Sequence, residues 1–322
     1  MMIAVLGSGA WGTALAVTLA INSPEDQIFL WGRNNHYPKN INVTLPKNLI
    51  FTTDLIFTVQ KFKNLIIAIP SNGFKNLVQQ IKPYLNQHRI AWATKGMDTE
   101  TNQFFSQIVL NFLGKDQPIA ILSGPSFAQE VIDQFPTAVV LAFRSQDQVF
   151  ADQLVNKLHS KNFKIYLSHD LIGVQLGGIF KNVLAVATGI CDGIGFAANT
   201  RSALITRGVA ELLKLAEKLG ADIKTIIGLS GMGDIVLTCC NNQSRNRKFG
   251  LLLAKGMTVE QAKMEIGQAI EALDNIESLH KLAVNYKVNM PIVAAIWEIL
   301  NQQLPVNQAI DFLLSNEPQL EY

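Results

Sequence analysis

Met2-Ile3-Ala4-Val5-Leu6-Gly7-Ser8-Gly9-Ala10-Trp11-Gly12 joins a short apolar run to a glycine-rich turn. The run reads as a fully buried strand, and the residues after the turn predict a helix over 10–22. The G-x-G-x-x-G spacing between them has a physical meaning. The first glycine permits a tight turn, the second lets a pyrophosphate approach the backbone, and the third packs the helix closely on its strand. The helix start at Ala10 adds free N–H groups and a positive dipole end. Gly7, Gly9, Ala10 and Gly12 are therefore candidate contacts to a dinucleotide.

This segment carries no charge from Met1 to Pro24. A signal peptide calls for a basic n-region and an unbroken apolar core, and a membrane span for about 20 mostly apolar residues. The glycines and the absence of Lys or Arg argue against both, so no membrane insertion is expected. The 322 residues suggest two domains, and 48% hydrophobic with 16% charged content excludes a disordered chain. With 27 basic and 25 acidic residues the net charge is +2, too balanced for a nucleic-acid surface or a polybasic membrane patch. A small-molecule partner is expected. Three cysteines, two of them adjacent, form no disulfide framework or zinc pattern, and none of the five histidines has metal-ligand spacing. No metal is expected, and a reducing cytoplasm fits.

Outward from the glycine turn, the first half alternates apolar strands with helical stretches. Strands are predicted over 2–6, 27–31, 65–69, 89–94, 118–122 and 137–142, with 163–167 as a last one. Strands apolar on both faces and separated by helices indicate a parallel sheet covered on both sides, a doubly wound α/β architecture of Rossmann type. After His169 the pattern becomes helical, with helices predicted over 171–190, 200–219, 245–254, 259–266, 276–286 and 291–300. The expected organisation is a dinucleotide-binding domain over 1–168 and an all-helical substrate-binding and catalytic domain over 169–322.

Ligands of such sheets lie beyond the carboxyl ends of the strands. The second strand ends in Gly32-Arg33-Asn34, where an NAD-selective site usually places a carboxylate; Arg33 could pair with a 2′-phosphate, which favours NADP over NAD. Lys95, directly before a glycine after the 89–94 strand, could hold an anionic substrate. Gly124 and Ser126 stand in a turn that offers N–H and hydroxyl donors. Gly177 and Gly178 cost a helix about 1 kcal/mol each relative to alanine, and they lie one turn before Lys181 on the same face. An amine there is expected to be partly desolvated and to work as a base near neutral pH. Gly231-Met232-Gly233-Asp234 places a carboxylate in a glycine-rich turn, where Asp234 could bind a hydroxyl or orient a lysine. Ser244-Arg245-Asn246-Arg247-Lys248 places a cap and several cations at a helix start, which suits a phosphate.

Together these segments resemble the bacterial NAD(P)-dependent glycerol-3-phosphate dehydrogenases, nearly end to end: GSGAWGTA at 7–14, ATKG at 93–96, SGPSFAQE at 123–130, GVQLGGIFKNV at 173–183, NTRSALITRGVAE at 199–211 and GMGDIVLTCCNNQSRNRKFG at 231–250. The resemblance implies a 6-phosphogluconate-dehydrogenase-like pair of domains that interconverts sn-glycerol 3-phosphate and dihydroxyacetone phosphate and feeds phospholipid synthesis. It implies Lys181 as proton acceptor, and Lys95, Gly124, Ser126, Asp234, Ser244, Arg245 and Asn246 as substrate contacts. Trp11, Arg33, Lys95, Ala128, Arg245 and Glu271 match cofactor contacts. A homodimer is carried as an expectation. The chain departs from the family in a shorter stretch over 36–45, and in Ala272 where a glycine commonly follows the glutamate. Two alternatives stay open from the residues alone. A ketopantoate-type reductase on the same two domains would not need the SRNR segment, and a non-catalytic cofactor-binding regulator would not need Lys95 and Lys181.

Overall fold

The computed structural model describes residues 2–34, 42–301, 304–306 and 308. The chain divides into two compact units, residues 1–178 with 221–234, and residues 179–220 with 235–322.

The first unit is built on an eight-stranded sheet of β1 (Ile3–Leu6), β2 (Ile28–Trp31), β3 (Leu49–Thr52), β4 (Asn64–Ile67), β5 (Arg89–Trp92), β8 (Ile119–Ser123), β9 (Thr137–Phe143) and β10 (Phe163–Ser168). A small hairpin, β6 (Met97–Asp98) with β7 (Gln103–Phe104), stands apart. The order β10-β9-β8-β5-β4-β1-β2-β3 puts β1 and its glycine turn inside the sheet. Helices α1 (Ala10–Asn22), α2 (Leu55–Lys61), α3 (Ser71–Ile81), α4 (Phe105–Leu113), α5 (Ala128–Ile132) and α6 (Gln148–Leu158) connect the strands. Alternation along β1 sorts them into two layers. Ile3 and Val5 join a core with α1 and α6, whereas Ala4 and Leu6 join a second core with α2, α3 and α4. Gly12 to Ala20 of α1 are all buried, which explains why so uncharged a segment is tolerated: it has almost no solvent face.

The doubly wound reading holds, with two differences. β9 runs antiparallel to β8, where a wholly parallel sheet was expected. Residues 124–136 make a turn and the five-residue α5, so β9 begins at the end of the sheet where β8 stopped instead of crossing back over it. β3 was not anticipated. It is a four-residue edge strand with only Leu49 buried, and its identity comes from parallel pairing with β2. The departure over 36–45 falls largely on residues 36–41, outside the described residues.

Helix α7 (Leu171–Gly193) starts in the first unit. Asp170 accepts from the Gly173 N–H at 2.8 Å and from the Asp222 N–H at 2.8 Å, and Gln175 exchanges hydrogen bonds with Ser106. The expected domain boundary at 168/169 marks the end of β10, while the division between units passes through α7. The helices after it are α8 (Ala198–Leu219), α9 (Ile223–Ile227), α10 (Asp234–Cys240), α11 (Arg245–Ala254), α12 (Val259–Ile266), α13 (Glu271–Asn285) and α14 (Pro291–Leu300). A wide turn, Leu229–Gly233, leads into α10.

Two helical stretches, Leu171–Gly193 and Ile223–Cys240, are long and apolar enough by composition to cross a membrane. In the first, 83% of the apolar window is buried inside the protein, so its hydrophobicity serves the core.

Candidate active site

In the first unit the glycine turn takes the shape its spacing predicts. Gly7 has φ of +129° and donates its N–H to the Trp31 carbonyl at 2.9 Å; a Cβ there would overlap the Ala68 carbonyl. A Cβ on Gly12 would overlap the Gly7 carbonyl and meet Ala68 Cβ at 3.3 Å, so the third glycine packs α1 onto the turn itself. Gly9 is the N-cap of α1 and has nothing within 4 Å in its Cβ direction. That open approach, beside the first-turn amides from Ala10 onward, fits a pyrophosphate. Trp11 lies partly buried against this core with its ring 6.5 Å from that of Phe163, and Ala128 opens α5, which also packs there. After β2, Gly32 lies against Ser8 of the turn, a closeness the sequence reading missed, and Arg33 is exposed beyond it. No group of metal-ligating side chains occurs among the described residues.

Beyond β5 and β8 the same unit gathers a second set. Lys95 Nζ donates to Asp234 Oδ2 at 2.5 Å and to the Gly124 carbonyl at 3.3 Å. Asp234 is 1% exposed and Lys95 14%; each charge of such a buried pair depends on the other. Ser126 Oγ also donates to the Gly124 carbonyl, at 2.9 Å. Gly124, with φ of +142°, lies so close to Val139 that a Cβ would stand 3.0 Å from its Cα. Asp234 was expected in a glycine turn; it is the first residue of α10, with the turn ahead of it. Gly177 packs there too, its Cβ direction 2.5 Å from the Ser230 carbonyl oxygen.

The second unit holds the remaining candidates. Lys181 is partly buried, and its Nζ donates to Thr238 Oγ1 at 3.1 Å. Its neighbour Asn182 is tied to the starts of α11 and α13. Asn246 Nδ2 donates to Asn182 Oδ1 at 2.9 Å, and Asn182 Nδ2 donates to Glu271 Oε2 at 3.1 Å. Asn246 Oδ1 accepts the Ala272 N–H at 3.0 Å, so the substituted position joins this network through its backbone. Ser244 caps α11 by accepting the Arg247 N–H at 3.2 Å. Asn246 therefore spends its amide on holding the loop, and what it and Arg245 present at the helix start are first-turn N–H groups. The Arg245 guanidinium, 42% exposed, lies 3.8 Å from Glu271 and 3.4 Å from Gln268.

Sequence reasoning did not single out Thr238 or Asn182. Thr238 lies four residues after Asp234, a one-turn spacing visible only once that segment is known to be helical. Asn182 had the plainer signal of adjacency to Lys181.

The chain matches the family described as NAD-dependent glycerol-3-phosphate dehydrogenase, its N-terminus over residues 2–149 and its C-terminus over residues 170–311. A glycerol-3-phosphate dehydrogenase [NAD(P)+] of Haemophilus ducreyi is 44% identical over 99% of this chain and 98% of its own. The crystal structure of glycerol-3-phosphate dehydrogenase from Coxiella burnetii superposes with a TM-score of 0.91 at 40% identity, covering 98% of each chain. That of the Plasmodium falciparum enzyme, at 22% identity over 99% of this chain and 97% of its own, has a TM-score of 0.86 and shares the fold.

Proposed function

The chain belongs to the NAD-dependent glycerol-3-phosphate dehydrogenase family, and from that premise we propose how its residues interconvert sn-glycerol 3-phosphate and dihydroxyacetone phosphate. One observation carries the reading. The Asn182–Asn246 hydrogen bond of 2.9 Å anchors the residue next to Lys181 to the helix start that carries Arg245, so the candidate base and the phosphate site are built as one piece.

In alcohol oxidation, neutral Lys181 accepts the proton of the C2 hydroxyl, and in ketone reduction its ammonium polarises the carbonyl and returns that proton. Thr238 accepts a hydrogen bond from the amine and fixes it. Ser244, Arg245 and the first-turn amides of α11 hold the phosphate by charge-assisted hydrogen bonds and the helix dipole. Lys95, its charge balanced by Asp234, binds substrate oxygens together with the Gly124–Ser126 turn.

The nicotinamide cofactor, when bound, supplies or takes up the hydride. Gly7, Gly9, Ala10, Trp11 and Gly12 hold its pyrophosphate side, with Ala128, Glu271, Lys95 and Arg245 as further contacts. Arg33, exposed just after β2, supports NADP as the preferred cofactor, because a guanidinium there can pair with a 2′-phosphate. The enzyme is read as a cytoplasmic protein without membrane insertion, a homodimer, supplying glycerol 3-phosphate for phospholipid synthesis.

The test is the loss of nicotinamide absorbance when purified protein is mixed with dihydroxyacetone phosphate and NADPH or NADH. Turnover with both and a higher kcat/KM for NADPH, reversed in Arg33→Ala, is the expected result. No turnover with either overturns the reading, and equal kcat/KM values overturn the NADP preference.

A further inference from the structure

Ser123 closes β8 and is only 5% exposed, yet its hydroxyl has no hydrogen-bond partner among the described residues. Leaving a buried hydroxyl unpaired costs stability, and alanine in its place removes that cost. Packing alone therefore gives no reason for serine.

Its position supplies one. The Cβ direction of Gly178 ends 3.5 Å from Ser123 Oγ and 3.4 Å from Lys95 Cγ. The hydroxyl and the lysine stem thus border the same bare patch of α7, which any side chain at 178 would fill. The polar groups beside it are already committed to one another: Lys95 to Asp234 and the Gly124 carbonyl, and Ser126 to that same carbonyl.

We propose that Ser123 is a substrate-contacting residue whose hydroxyl hydrogen-bonds a carbonyl or hydroxyl oxygen of the triose phosphate, beside Lys95. The inference rests on the function proposed above. A hydroxyl suits a reaction that runs between ketone and alcohol, because it rotates to donate to a carbonyl oxygen or to accept from a hydroxyl without changing charge. An ammonium can only donate.

The experiment compares Ser123→Ala and Ser123→Cys with the wild type, and with Lys181→Ala as the inactive reference. Three quantities are read: kcat/KM for dihydroxyacetone phosphate at saturating cofactor, the cofactor dissociation constant without substrate, and the melting temperature of the ligand-free protein. Ser123→Ala is expected to lose about tenfold or more in kcat/KM, with cofactor affinity within about twofold and a melting temperature unchanged or higher. Ser123→Cys, near-isosteric but a weak hydrogen-bonder, recovers little, and it carries the same comparison should the alanine variant not fold. A kcat/KM within about twofold of wild type overturns the inference, as does weakened cofactor binding that accounts for the loss, or a fall in melting temperature that tracks the fall in activity. If the wild type itself does not turn over dihydroxyacetone phosphate, the proposed function fails; if it does and Ser123→Ala matches it, only this inference fails.

Discussion

Gly177 and Gly178 are neighbours in one helix, yet the structure predicts opposite responses to the same added methyl. At either site alanine improves intrinsic helix propensity by about 1 kcal/mol. At Gly178 the methyl meets Lys95 Cγ at 3.4 Å and Ser123 Oγ at 3.5 Å, close to the optimal separation of about 3.5 Å. The propensity gain therefore survives, and the melting temperature should rise by about 2–4 °C. At Gly177 the methyl stands 2.5 Å from the Ser230 carbonyl oxygen and 3.0 Å from Gly231 Cα, an overlap of about 1 Å with backbone that no rotamer change relieves. Overpacking of this kind costs up to about 3 kcal/mol. Set against the propensity gain, Gly177→Ala should lose about 2 kcal/mol, or about 4–8 °C. Both variants should lose activity, Gly178→Ala by filling the space beside Lys95 and Gly177→Ala by displacing the turn that leads to Asp234. Calorimetry paired with steady-state kinetics reads both quantities. A Gly177→Ala protein as stable as Gly178→Ala, or a Gly178→Ala protein with full kcat/KM, refutes the reasoning.

Lys181→Ala should lower kcat by about 10²- to 10⁴-fold while fluorescence titration shows cofactor binding intact; near-normal kcat would remove Lys181 from proton transfer. Arg245→Ala should raise KM for dihydroxyacetone phosphate about 10- to 100-fold, as loss of a charged hydrogen bond worth about 1.5–3 kcal/mol implies, and an unchanged KM would place the phosphate elsewhere. Glu211, 5% exposed, accepts the Ile292 N–H at 2.8 Å and the Val293 N–H at 3.4 Å at the start of α14. Burial outweighs those hydrogen bonds and raises its pKa from the ordinary 4.5 to about 7. The folded protein then binds this proton more tightly than the unfolded chain, so its stabilising effect is full below pH 4.5 and is lost as pH rises through about 7. Glu211→Gln should abolish this component, on the order of 3 kcal/mol, flattening the fall in melting temperature between about pH 5 and pH 8; an unchanged slope would assign that pH dependence to other groups.

What the amino-acid sequence determined by itself was local. The strand before Gly7, the spacing of Gly7, Gly9 and Gly12, and the switch to helical periodicity after His169 depend on residues close in the chain, and their positions followed from that alone. The chemistry-bearing segments were likewise legible, because lysine after a strand end, glycine before lysine in a helix and a cap followed by arginine each carry a meaning within a few residues. What only the tertiary structure decided depends on residues far apart. Lys95 meets Asp234 across 139 positions and Asn182 meets Asn246 across 64, and neither partner's neighbours announce the other. The antiparallel turn into β9 and the edge strand β3 were settled by pairing, which short apolar runs do not encode in their own composition. That Ser123 finds no hydrogen-bond partner among the described residues belongs to this second class, since whether a hydroxyl is satisfied is a property of everything packed around it.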